Sequence, residues 1–426
     1  MTDLTFAARW WAHRPTLERV LVDLLAGELA LMRPGHPRRA LPWPHTFDLA
    51  RDLGADSLEL LGMATAMEQV LAIGCIGEDR VLANPRLDAW LDAVAAGLDA
   101  SGERMVFRTS GSSGAPRHCP HALAALAQEV AQLAQLFGGA RRILSLVPSH
   151  HIYGFLFTVL LPRALGLDPS AVHDLRGASP GAVARAFEPG DLVIGFPDFW
   201  RTLAPVAGAV PAGVVGVTST APCPDEVARV VLEAGVGRLV QVYGSTETAG
   251  VGWREGADEE YRLFSYWEAG AGPEGIQEGG QDSARDGAGV LVRTTPDGAR
   301  LAVSLQDTLI WSAPDRFRPA GRIDQAVQVG GINVFPGYVA DVLRMHPGVE
   351  DAAVRPMRPD EGRRLKAFVV PRGGVPADTA ALRAELVAWV GDRLSTPERP
   401  AALSFGAALP RGANGKLTDW IIDAWA

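Results

Sequence analysis

The stretch that most constrains this chain is a run of small hydroxylated residues between an apolar segment and a cation. Met105 to Phe107 reads as a strand, and after Arg108 the next six residues are all Thr, Ser or Gly. Glycine lets the backbone approach a ligand closely, successive N–H groups form an anion nest, and hydroxyl groups donate further hydrogen bonds. We interpret this run as a polyphosphate-binding loop formed by Thr109, Ser110, Gly111, Ser112, Ser113 and Gly114, with Arg117 adding charge-assisted hydrogen bonds.

The alternative interpretation of this run is a flexible Ser/Gly linker. A linker does not usually follow a strand and lead straight into an amphipathic helix. Such a helix is predicted here, because apolar residues recur at helical spacing from Leu123 to Phe137. The loop is not of the Walker type, because the pattern G-x-x-x-x-G-K-[ST] is absent.

Composition excludes several classes of protein. The net charge of −9 argues against non-specific nucleic-acid binding, which needs a basic face. No apolar run reaches the length of a membrane span, and the N-terminus lacks the apolar segment of a signal peptide. The three cysteines, Cys75, Cys119 and Cys223, are scattered, which predicts a reducing compartment and no disulfide framework or metal site. We therefore expect a cytoplasmic protein.

Residues 1–98 read as a small helical bundle that resembles an acyl carrier protein. The resemblance rests on Phe47, on the string Asp52 to Leu58, and on Met67-Glu68 one helix later. In that family the Ser of the D-S-L triplet carries a phosphopantetheine arm, which here would be Ser57. A helix N-terminus favours an attached phosphate, but Ser57 alternatively only caps its helix. We favour a packed domain without an arm.

Residues 99–323 alternate short apolar strands with helical stretches, the α/β pattern. The Gly-rich region from Ala269 to Gly298 reads as loops or a surface hairpin. Residues 324–426 form a separate α+β unit that ends in LPRGANGKL followed by a short tail. The predicted strands are Ile143 to Val147, Leu192 to Ile194, Val214 to Val217, Leu239 to Val242, Ala352 to Val354 and Lys366 to Val370, with a C-terminal helix around Leu382 to Val390.

Five stretches in order resemble the superfamily of ATP-dependent adenylating enzymes, which includes acyl- and aryl-CoA ligases. They are TSGSSGAPR from Thr109, HIYG from His151, TSTAP from Thr218 with VYGSTET from Val242, GRIDQAVQVGGINVFP from Gly321, and PRGANGK from Pro410. The fourth stretch is most similar to phenylacetate-CoA ligases, and the second to coumarate- and benzoate-type ligases. The resemblance implies a large α/β adenylating subdomain at 99–323, shortened at its start, and a mobile C-terminal subdomain at 324–426.

The resemblance also implies a reaction and its cofactors. In that superfamily a carboxylate attacks the α-phosphate of ATP, pyrophosphate leaves, and a thiol then displaces AMP from the acyl-adenylate. We therefore expect ATP, Mg²⁺, a small carboxylic acid, and a phosphopantetheine thiol of CoA or of an acyl carrier protein. The resemblance implies further ATP-binding residues beyond the loop. Tyr243 would stack on adenine, with Thr220, Ala221 and Pro222 forming the opposite wall. Asp307 would accept the ribose hydroxyls, and Arg322 would reach ribose or phosphate.

The remaining site residues are implied in the same way. Glu247 would bind Mg²⁺, which prefers hard oxygen ligands, and Thr246 would donate to the α-phosphate. Lys416 would bridge the carboxylate and α-phosphate, where charge is shared in the transition state. Taken alone, Glu247, Asp307 and Lys416 would each be a solvated surface residue. The acyl-pocket residues are expected to be His151, Tyr153, Phe196 and Gly244.

Several positions depart from the family pattern. The usual loop Lys is Arg117, and the usual T-G-D is Leu305-Gln306-Asp307. Gln325 stands at the hinge acid, and Tyr338 and Ala340 replace acids after the family's Pro.

We predict an AMP-forming ligase for an aryl or apolar acid without an α-amino group, because His151 to Leu156 holds no acid to pair with an ammonium. Phe196, Phe199 and Trp200 favour a flat acid. The acceptor stays open between CoA, a separate carrier protein and an arm on Ser57. The alternative function is a non-catalytic binding or assembly protein that keeps this fold.

Overall fold

The computed structural model of the chain describes residues 4–33, 36, 39–74, 82–109, 117–256, 258–270, 287–323, 326–375, 378–411 and 417–422. The chain divides into two compact units. The first holds Met1–Leu29, Arg38–Thr109 and Arg117–Ile323, and the second holds Asp324–Ala426 with Ala30–Pro37 and Ser110–Pro116. Among the helices in the described ranges, none has the length and apolar character needed to cross a membrane.

The helices follow the apolar periodicity of the sequence. The amphipathic helix predicted from Leu123 onward is present, and the helical reading of the first hundred residues is also confirmed. The α-helices are α1 (Arg14–Met32), α2 (Leu49–Leu53), α3 (Ser57–Leu71), α4 (Leu87–Ser101), α5 (Leu123–Leu136), α6 (Ile152–Phe155), α7 (Leu161–Ala164), α8 (Pro180–Arg185), α9 (Pro197–Leu203), α10 (Asp225–Glu233), α11 (Pro336–Arg344) and α12 (Ala380–Arg393).

The strands include every one predicted from the sequence, with small shifts at the ends. They are β1 (Arg104–Thr109), β2 (Arg117–Ala122), β3 (Arg142–Ser145), β4 (Val172–Asp174), β5 (Asp191–Gly195), β6 (Val215–Thr218), β7 (Arg238–Ser245), β8 (Ala249–Glu255), β9 (Tyr261–Leu263), β10 (Trp267–Ala269), β11 (Gly287–Thr294), β12 (Arg300–Ala313), β13 (Arg316–Arg322), β14 (Val327–Val329), β15 (Ile332–Val334), β16 (Val349–Pro356), β17 (Leu365–Pro371) and β18 (Ala402–Phe405).

One large mixed sheet organises the first unit. Its strand order is β10-β11-β12-β13-β9-β8-β7-β6-β5-β3-β4. The strands β4, β3, β5, β6 and β7 pair in parallel, whereas β8 joins β7 antiparallel. The α/β prediction is thus confirmed. Part of the region from Ala269 to Gly298 belongs to this sheet as β11, and residues 271–286 lie outside the described part of the chain.

The strand β2 corrects the expected local order around the phosphate loop. The loop was expected to run straight into a helix, yet Arg117 begins a strand that pairs antiparallel with β1. Phe107 and Cys119 face each other in this hairpin, and both are buried. The polar sequence RHCPHA does not signal a strand by itself. Among the described residues, β2 is the strand that pairs with β1, and the strand depends on that pairing.

The N-terminal helices share one apolar core with the large sheet. Buried Trp10 meets Phe155 edge to face, with ring centroids 5.2 Å apart. Glu28 of α1 bonds Arg108 of β1 at 2.5 Å, and Arg163 donates to Phe6 O at 2.5 Å. These contacts make α1 up to Leu29 and the N-terminal 3-10 turns part of the first unit, while the three-part division at residues 98 and 323 stays a prediction.

The start of α3 differs from one expectation. Ser57 is the first residue of the helix, and Asp56 is its N-cap. The Asp56 carboxylate accepts from Glu59 N at 2.9 Å, and Glu59 accepts from Asp56 N at 3.0 Å, forming a capping box. The alternative that Ser57 caps the helix is therefore wrong, because the preceding Asp takes that role. Ser57 itself is exposed.

The second unit has its own core and an α+β arrangement. Strands β16 and β17 pair antiparallel, β18 joins β17 in parallel, and α11 and α12 pack against them. Arg411 and Leu417 form an isolated antiparallel bridge, and Thr418 N donates to Pro410 O at 2.8 Å. The chain on either side of residues 412–416 is thereby held together.

A fully buried lysine secures the C-terminal segment of this unit. Lys366 on β17 is 0% exposed, and its Nζ lies 2.8 Å from Glu361 and 2.9 Å from Asp419. It also donates to Trp420 O at 2.8 Å. Burial alone would raise the pKa of Asp419, but the hydrogen bonds from Lys366 and Arg358 outweigh it and lower that pKa to about 2. A buried ammonium needs such partners to offset its lost hydration.

We expect Lys366→Met to destabilise the second unit by about 3 kcal/mol, because removing one partner of a buried pair leaves the other charges uncompensated. Urea unfolding measures this. Glu385→Gln is the matched control, since that carboxylate is 65% exposed and lies 4.0 Å from His346; its effect should stay within about 0.5 kcal/mol. Equal stability of the two variants would show that the Lys366 cluster contributes nothing.

Candidate active site

The predicted site segments of the first unit follow the carboxyl ends of neighbouring parallel strands. His151 comes six residues after β3 ends at Ser145, and Phe196 directly follows β5. Thr220 lies just beyond β6, and Thr246 directly follows β7. Because parallel strands end at the same edge of a sheet, these segments are brought to one edge, the usual place for a ligand in α/β proteins.

The β1–β2 hairpin lies against the turn that follows β7. Thr109 and Arg117 are opposite each other in the hairpin. His121 of β2 donates from Nε2 to Thr246 O at 2.7 Å, which requires the proton on that nitrogen. Burial and the Glu247 charge together raise the pKa of the Cys119 thiol to about 11, against the lowering effect of Arg117. Arg117 and Glu247 therefore act on the same thiol and lie in one neighbourhood.

The turn after β7 presents Glu247 to solvent. Glu247 N donates to Ser245 Oγ at 3.2 Å, and Ser245 N donates to Thr248 Oγ1 at 3.0 Å. These side-chain bonds close the turn, while the Glu247 side chain is exposed and Thr246 is half-buried. An exposed carboxylate on a closed turn is a suitable ligand for a hard cation that keeps most of its waters. The residues present here fit Mg²⁺.

A second cluster joins β7 to β12 and β13. The Tyr243 hydroxyl donates to Asp307 Oδ2 at 2.6 Å, and Arg322 lies 3.7 Å from Asp307 Oδ1. Burial and the Asp307 charge raise the pKa of Tyr243, so the hydroxyl keeps its proton. The Tyr243 ring also packs edge-on against Phe317, with centroids 5.3 Å apart. Three residues expected at adenine and ribose thus lie together.

The turn after β6 runs beside this cluster. Ser219 Oγ donates to Val242 O at 2.9 Å, which ties the turn to β7. Thr220 has a φ of +74°, a conformation that non-glycine residues seldom adopt. Ala221 is half-buried and Pro222 is exposed. Gly244 on the neighbouring strand has no room for a side chain, because a Cβ there would lie 2.1 Å from Ala249 O.

The expected acyl-site residues occupy two different environments. His150 and His151 pack against each other with ring centroids 4.2 Å apart. Burial lowers the pKa of His150 well below its usual value, and the surrounding protein with the Arg176 charge lowers the pKa of the more exposed His151. Both imidazoles are neutral at pH 7. Tyr153 is buried, and its hydroxyl donates to Gly195 O at 3.0 Å, directly before half-buried Phe196.

Two aromatic residues expected near the acid lie elsewhere. Phe199 and Trp200 belong to the second core cluster beneath the sheet, and the Trp200 indole donates to Val217 O at 3.1 Å. Gly195 and Gly216 make room for their rings, since a Cβ at either position would lie within 3 Å of them. Only Phe196 of this trio is half-buried at the strand end.

Residues of α1 hold the segment that carries the histidines, and the sequence did not reveal them. Asp23 accepts from Ser149 N at 2.6 Å and pairs with Arg176 at 2.5 Å. Arg19 donates to Ser149 Oγ at 3.2 Å and to Thr158 O at 2.6 Å. The sequence did contain one signal for them, because the charged residues Arg19 and Asp23 interrupt the apolar residues of α1. Asp23 is 3% exposed.

A second missed group lies beneath the Glu247 turn. Glu129 of α5 and Arg293 of β11 are 0% and 5% exposed, and both bond the backbone that follows the turn. In the sequence, Glu129 interrupts the apolar stripe between Leu126 and Val130. A charge at such a position indicates a buried partner.

Part of the predicted site lies outside the described residues, namely Ser110 to Gly114 of the phosphate loop, Gln325 and Lys416. Their expected roles stay predictions. Among the residues that the structure does describe, no three His, Cys, Asp or Glu side chains are grouped as they would be around a metal ion held by protein alone.

Comparison with known proteins identifies two family domains in this chain. Residues 78–266 match the AMP-binding enzyme family, and residues 338–416 match the AMP-binding enzyme C-terminal domain. The first match includes β1 through β9 with the turns after β3, β5, β6 and β7. The second covers β16–β18 and ends at Lys416.

Similar proteins extend the match to nearly the whole chain. A protein of Halorhodospira halophila named 4-coumarate–CoA ligase is 39% identical over 408 residues, which are 94% of this chain and 97% of that protein. One of the same name from Cereibacter sphaeroides is 36% identical over 427 residues, covering 96% of each. Among solved structures, an amide bond synthetase from Marinactinospora thermotolerans aligns with a TM-score of 0.60 at 18% identity over 94% of this chain and 92% of that one, which shows a shared fold. Because these relatives are at least 36% identical and the matches cover more than nine tenths of each chain, this chain belongs to the AMP-binding enzyme family.

Proposed function

We propose that the protein is an ATP-dependent, AMP-forming ligase that joins an aryl carboxylic acid to CoA. The observation that carries the proposal is that segments from four strand ends, with the base of the β1–β2 hairpin, meet at one sheet edge. They place the Glu247 carboxylate and the Tyr243–Asp307–Arg322 cluster along it. The relatives that match nearly the full length are named 4-coumarate–CoA ligases. A cytoplasmic location, inferred from the cysteines, is part of the proposal.

The first half-reaction needs charge neutralisation and alignment more than acid–base catalysis. A carboxylate oxygen attacks the α-phosphorus of ATP, the bond from that phosphorus to the bridging oxygen breaks, and pyrophosphate leaves. The acid is already ionised at pH 7, so no base is needed. Thr109 and Arg117 would hold the departing phosphates at the base of their hairpin. Bound Mg²⁺ neutralises phosphate charge, and Glu247 would hold it.

The nucleoside would be held by the second cluster. Asp307 accepts the Tyr243 hydroxyl and keeps its remaining lone pairs for ribose hydroxyls, and a carboxylate accepts such bonds strongly. The Tyr243 ring and the turn from Thr220 to Pro222 lie on neighbouring strand ends, as expected for two walls around adenine. Arg322 would add a positive charge beside ribose or α-phosphate.

The acid side favours a flat, uncharged group. His150 and His151 are neutral, Tyr153 is held by Gly195, and Phe196 follows at the strand end. Such a lining offers aromatic surface and hydrogen bonds but no carboxylate for an ammonium. A hydroxycinnamic acid such as 4-coumarate suits it, and that is the acid in the relatives' name.

In the second half-reaction the thiol of CoA gives up its proton, sulfur attacks the acyl carbon, and the bond from that carbon to AMP breaks. CoA is the acceptor in the names of the matching relatives. A separate acyl carrier protein and an arm on Ser57 remain alternative acceptors that share the same thiol chemistry.

ATP–pyrophosphate exchange over a panel of acids tests the function. The panel contains 4-coumarate, benzoate, phenylacetate, a short fatty acid and an amino acid, and thioester formation with CoA is then followed for the active acids. We expect 4-coumarate to give the fastest exchange. If none of the acids supports exchange, the proposal is overturned, and the fastest exchange with the amino acid would overturn the aryl assignment.

Lys416→Ala should abolish adenylate formation with little effect on folding. A cation directed at shared transition-state charge contributes about 10²–10³ in rate, whereas the sequence around Lys416 is Gly-rich and polar. The expected result is an unchanged melting temperature with exchange reduced by that factor. Parent-level exchange would remove Lys416 from the mechanism.

Asp307→Asn should raise the KM for ATP about tenfold, because hydrogen bonds to a charged group are worth about 1.5–3 kcal/mol. The KM for the acid should not change. Asp315→Asn is the control, since that residue is exposed at the turn between β12 and β13. A parent-like KM for ATP in the Asp307 variant would contradict its placement at the nucleoside.

Ser57 is expected to carry no phosphopantetheine arm. Its hydroxyl is exposed, but α1 of the same segment is bonded to Ser149 after β3 through Asp23 and to Arg108 of β1 through Glu28. A carrier has to present its arm to a distant site, which this packing opposes. Intact mass after co-expression with a phosphopantetheinyl transferase measures it. A mass gain of one arm that Ser57→Ala abolishes would contradict this expectation.

A further inference from the structure

We infer that Glu129 and Arg293 are positioning residues that hold the turn carrying Thr246 and Glu247 in the geometry needed for the metal-dependent step. The inference rests on the proposed function, in which Glu247 binds Mg²⁺. Neither Glu129 nor Arg293 is exposed at the site, so they act through the backbone of the segment from Thr246 to Gly250.

Buried side chains bond the backbone of this segment at several points. Glu129 Oε2 accepts from Gly250 N at 2.9 Å, and Arg293 donates to Thr248 O at 3.4 Å. Gly250 O accepts from the Tyr266 hydroxyl at 3.0 Å and from the Trp267 indole at 2.8 Å. These bonds fix the direction of the chain immediately after the turn.

His121 fixes the other side of the turn through Thr246 O. Glu247 thus lies between two anchored peptide groups, and its side chain leaves the turn in a set direction. Ala249 lies between the Thr248 carbonyl, which Arg293 bonds, and the Gly250 N–H, which Glu129 bonds. Its φ is +59°. A non-glycine residue holds this conformation only when its surroundings impose it. The anchors beneath the turn supply that constraint.

Glu129 and Arg293 carry opposite charges in one buried neighbourhood, beside two aromatic residues. The Arg293 guanidinium lies over the Tyr266 ring at 4.6 Å and over Trp267 at 5.5 Å, and it also donates to Ala125 O at 2.6 Å. Burial raises the pKa of Glu129 to about 7, against the lowering effect of Arg293 and Gly250 N.

The Glu129 carboxylate occupies the space that a side chain at position 250 would need. A Cβ at Gly250 would lie 2.3 Å from Glu129 Oε1, so only glycine lets the carboxylate reach the backbone. Buried charged side chains are a poor source of stability compared with apolar packing. The pair is better explained by the geometry it imposes on the turn than by the free energy of folding.

The test compares variants of the full chain in the two half-reactions. Glu129→Met removes the acceptor for Gly250 N. We expect it to raise the Mg²⁺ concentration for half-maximal ATP–pyrophosphate exchange and to lower kcat, each about tenfold, as for other residues that orient metal ligands. KM for the acid should not change. Transfer of a preformed acyl-adenylate to CoA, measured without added Mg²⁺, should keep the parent rate.

Two further variants keep the test decisive. Arg293→Lys retains the positive charge but loses the fork that joins Ala125 O and Thr248 O. We expect at least a threefold rise in the same Mg²⁺ concentration. Glu129→Gln keeps an acceptor for Gly250 N and should restore most of the parent response. If Glu129→Met does not fold, Arg293→Lys decides.

Asp191→Asn is the matched control for lost buried charge. Asp191 is 1% exposed and pairs with Arg142 at 2.8 Å at the start of β5, the opposite end of the strand from the site. It should lower the melting temperature without changing the Mg²⁺ response. Two results would overturn the inference. One is that Glu129→Met and Arg293→Lys both keep the parent Mg²⁺ response and kcat. The other is that these variants lose rate equally in both half-reactions. Absence of exchange in the parent protein would instead overturn the proposed function.

Discussion

Parallel hydrogen bonding between β3, β5, β6 and β7 is the constraint on which the rest of the molecule depends. It directs the carboxyl ends of these strands to one edge. The turns that follow can then differ freely in sequence, because the strands beneath them are buried and paired. The antiparallel pairing of β7 with β8 reverses the chain directly after Glu247. The turn is therefore short, and Glu129 of α5 and Arg293 of β11 can bond the backbone that follows it.

The regular elements were predictable from the sequence because each rests on local periodicity. The apolar stripe of α5 and the apolar runs of β3, β5, β6 and β7 place these elements within a few residues of their ends. Strand β2 was not predictable in this way, because its residues alternate poorly and contain Pro120. It depends on β1, a partner whose contribution is invisible in a local window.

The site was predictable in part for the same reason. Tyr243 and Asp307 could be chosen from motifs, and the structure brings them to 2.6 Å, although their roles remain proposals. Asp23 and Glu129 could not be chosen, because their function lies in bonds to backbone groups far away in sequence. For Phe199 and Trp200 the prediction was wrong in the other direction. Their position in the sequence suggested that they line a pocket, but both rings pack in the core, in space left by the glycines of β5 and β6.

The bonds that Asp23 of α1 makes to Arg176 and to the Ser149 backbone limit how this chain can be divided into parts. Asp23 is closed in by Arg176 and by the Ser149 backbone, and Trp10 lies against Phe155. A segment joined in this manner is not an exchangeable module, although its sequence resembles one. Grafting residues 1–98 onto another ligase would require transplanting the receiving surface around Ser149 and Arg176 with them.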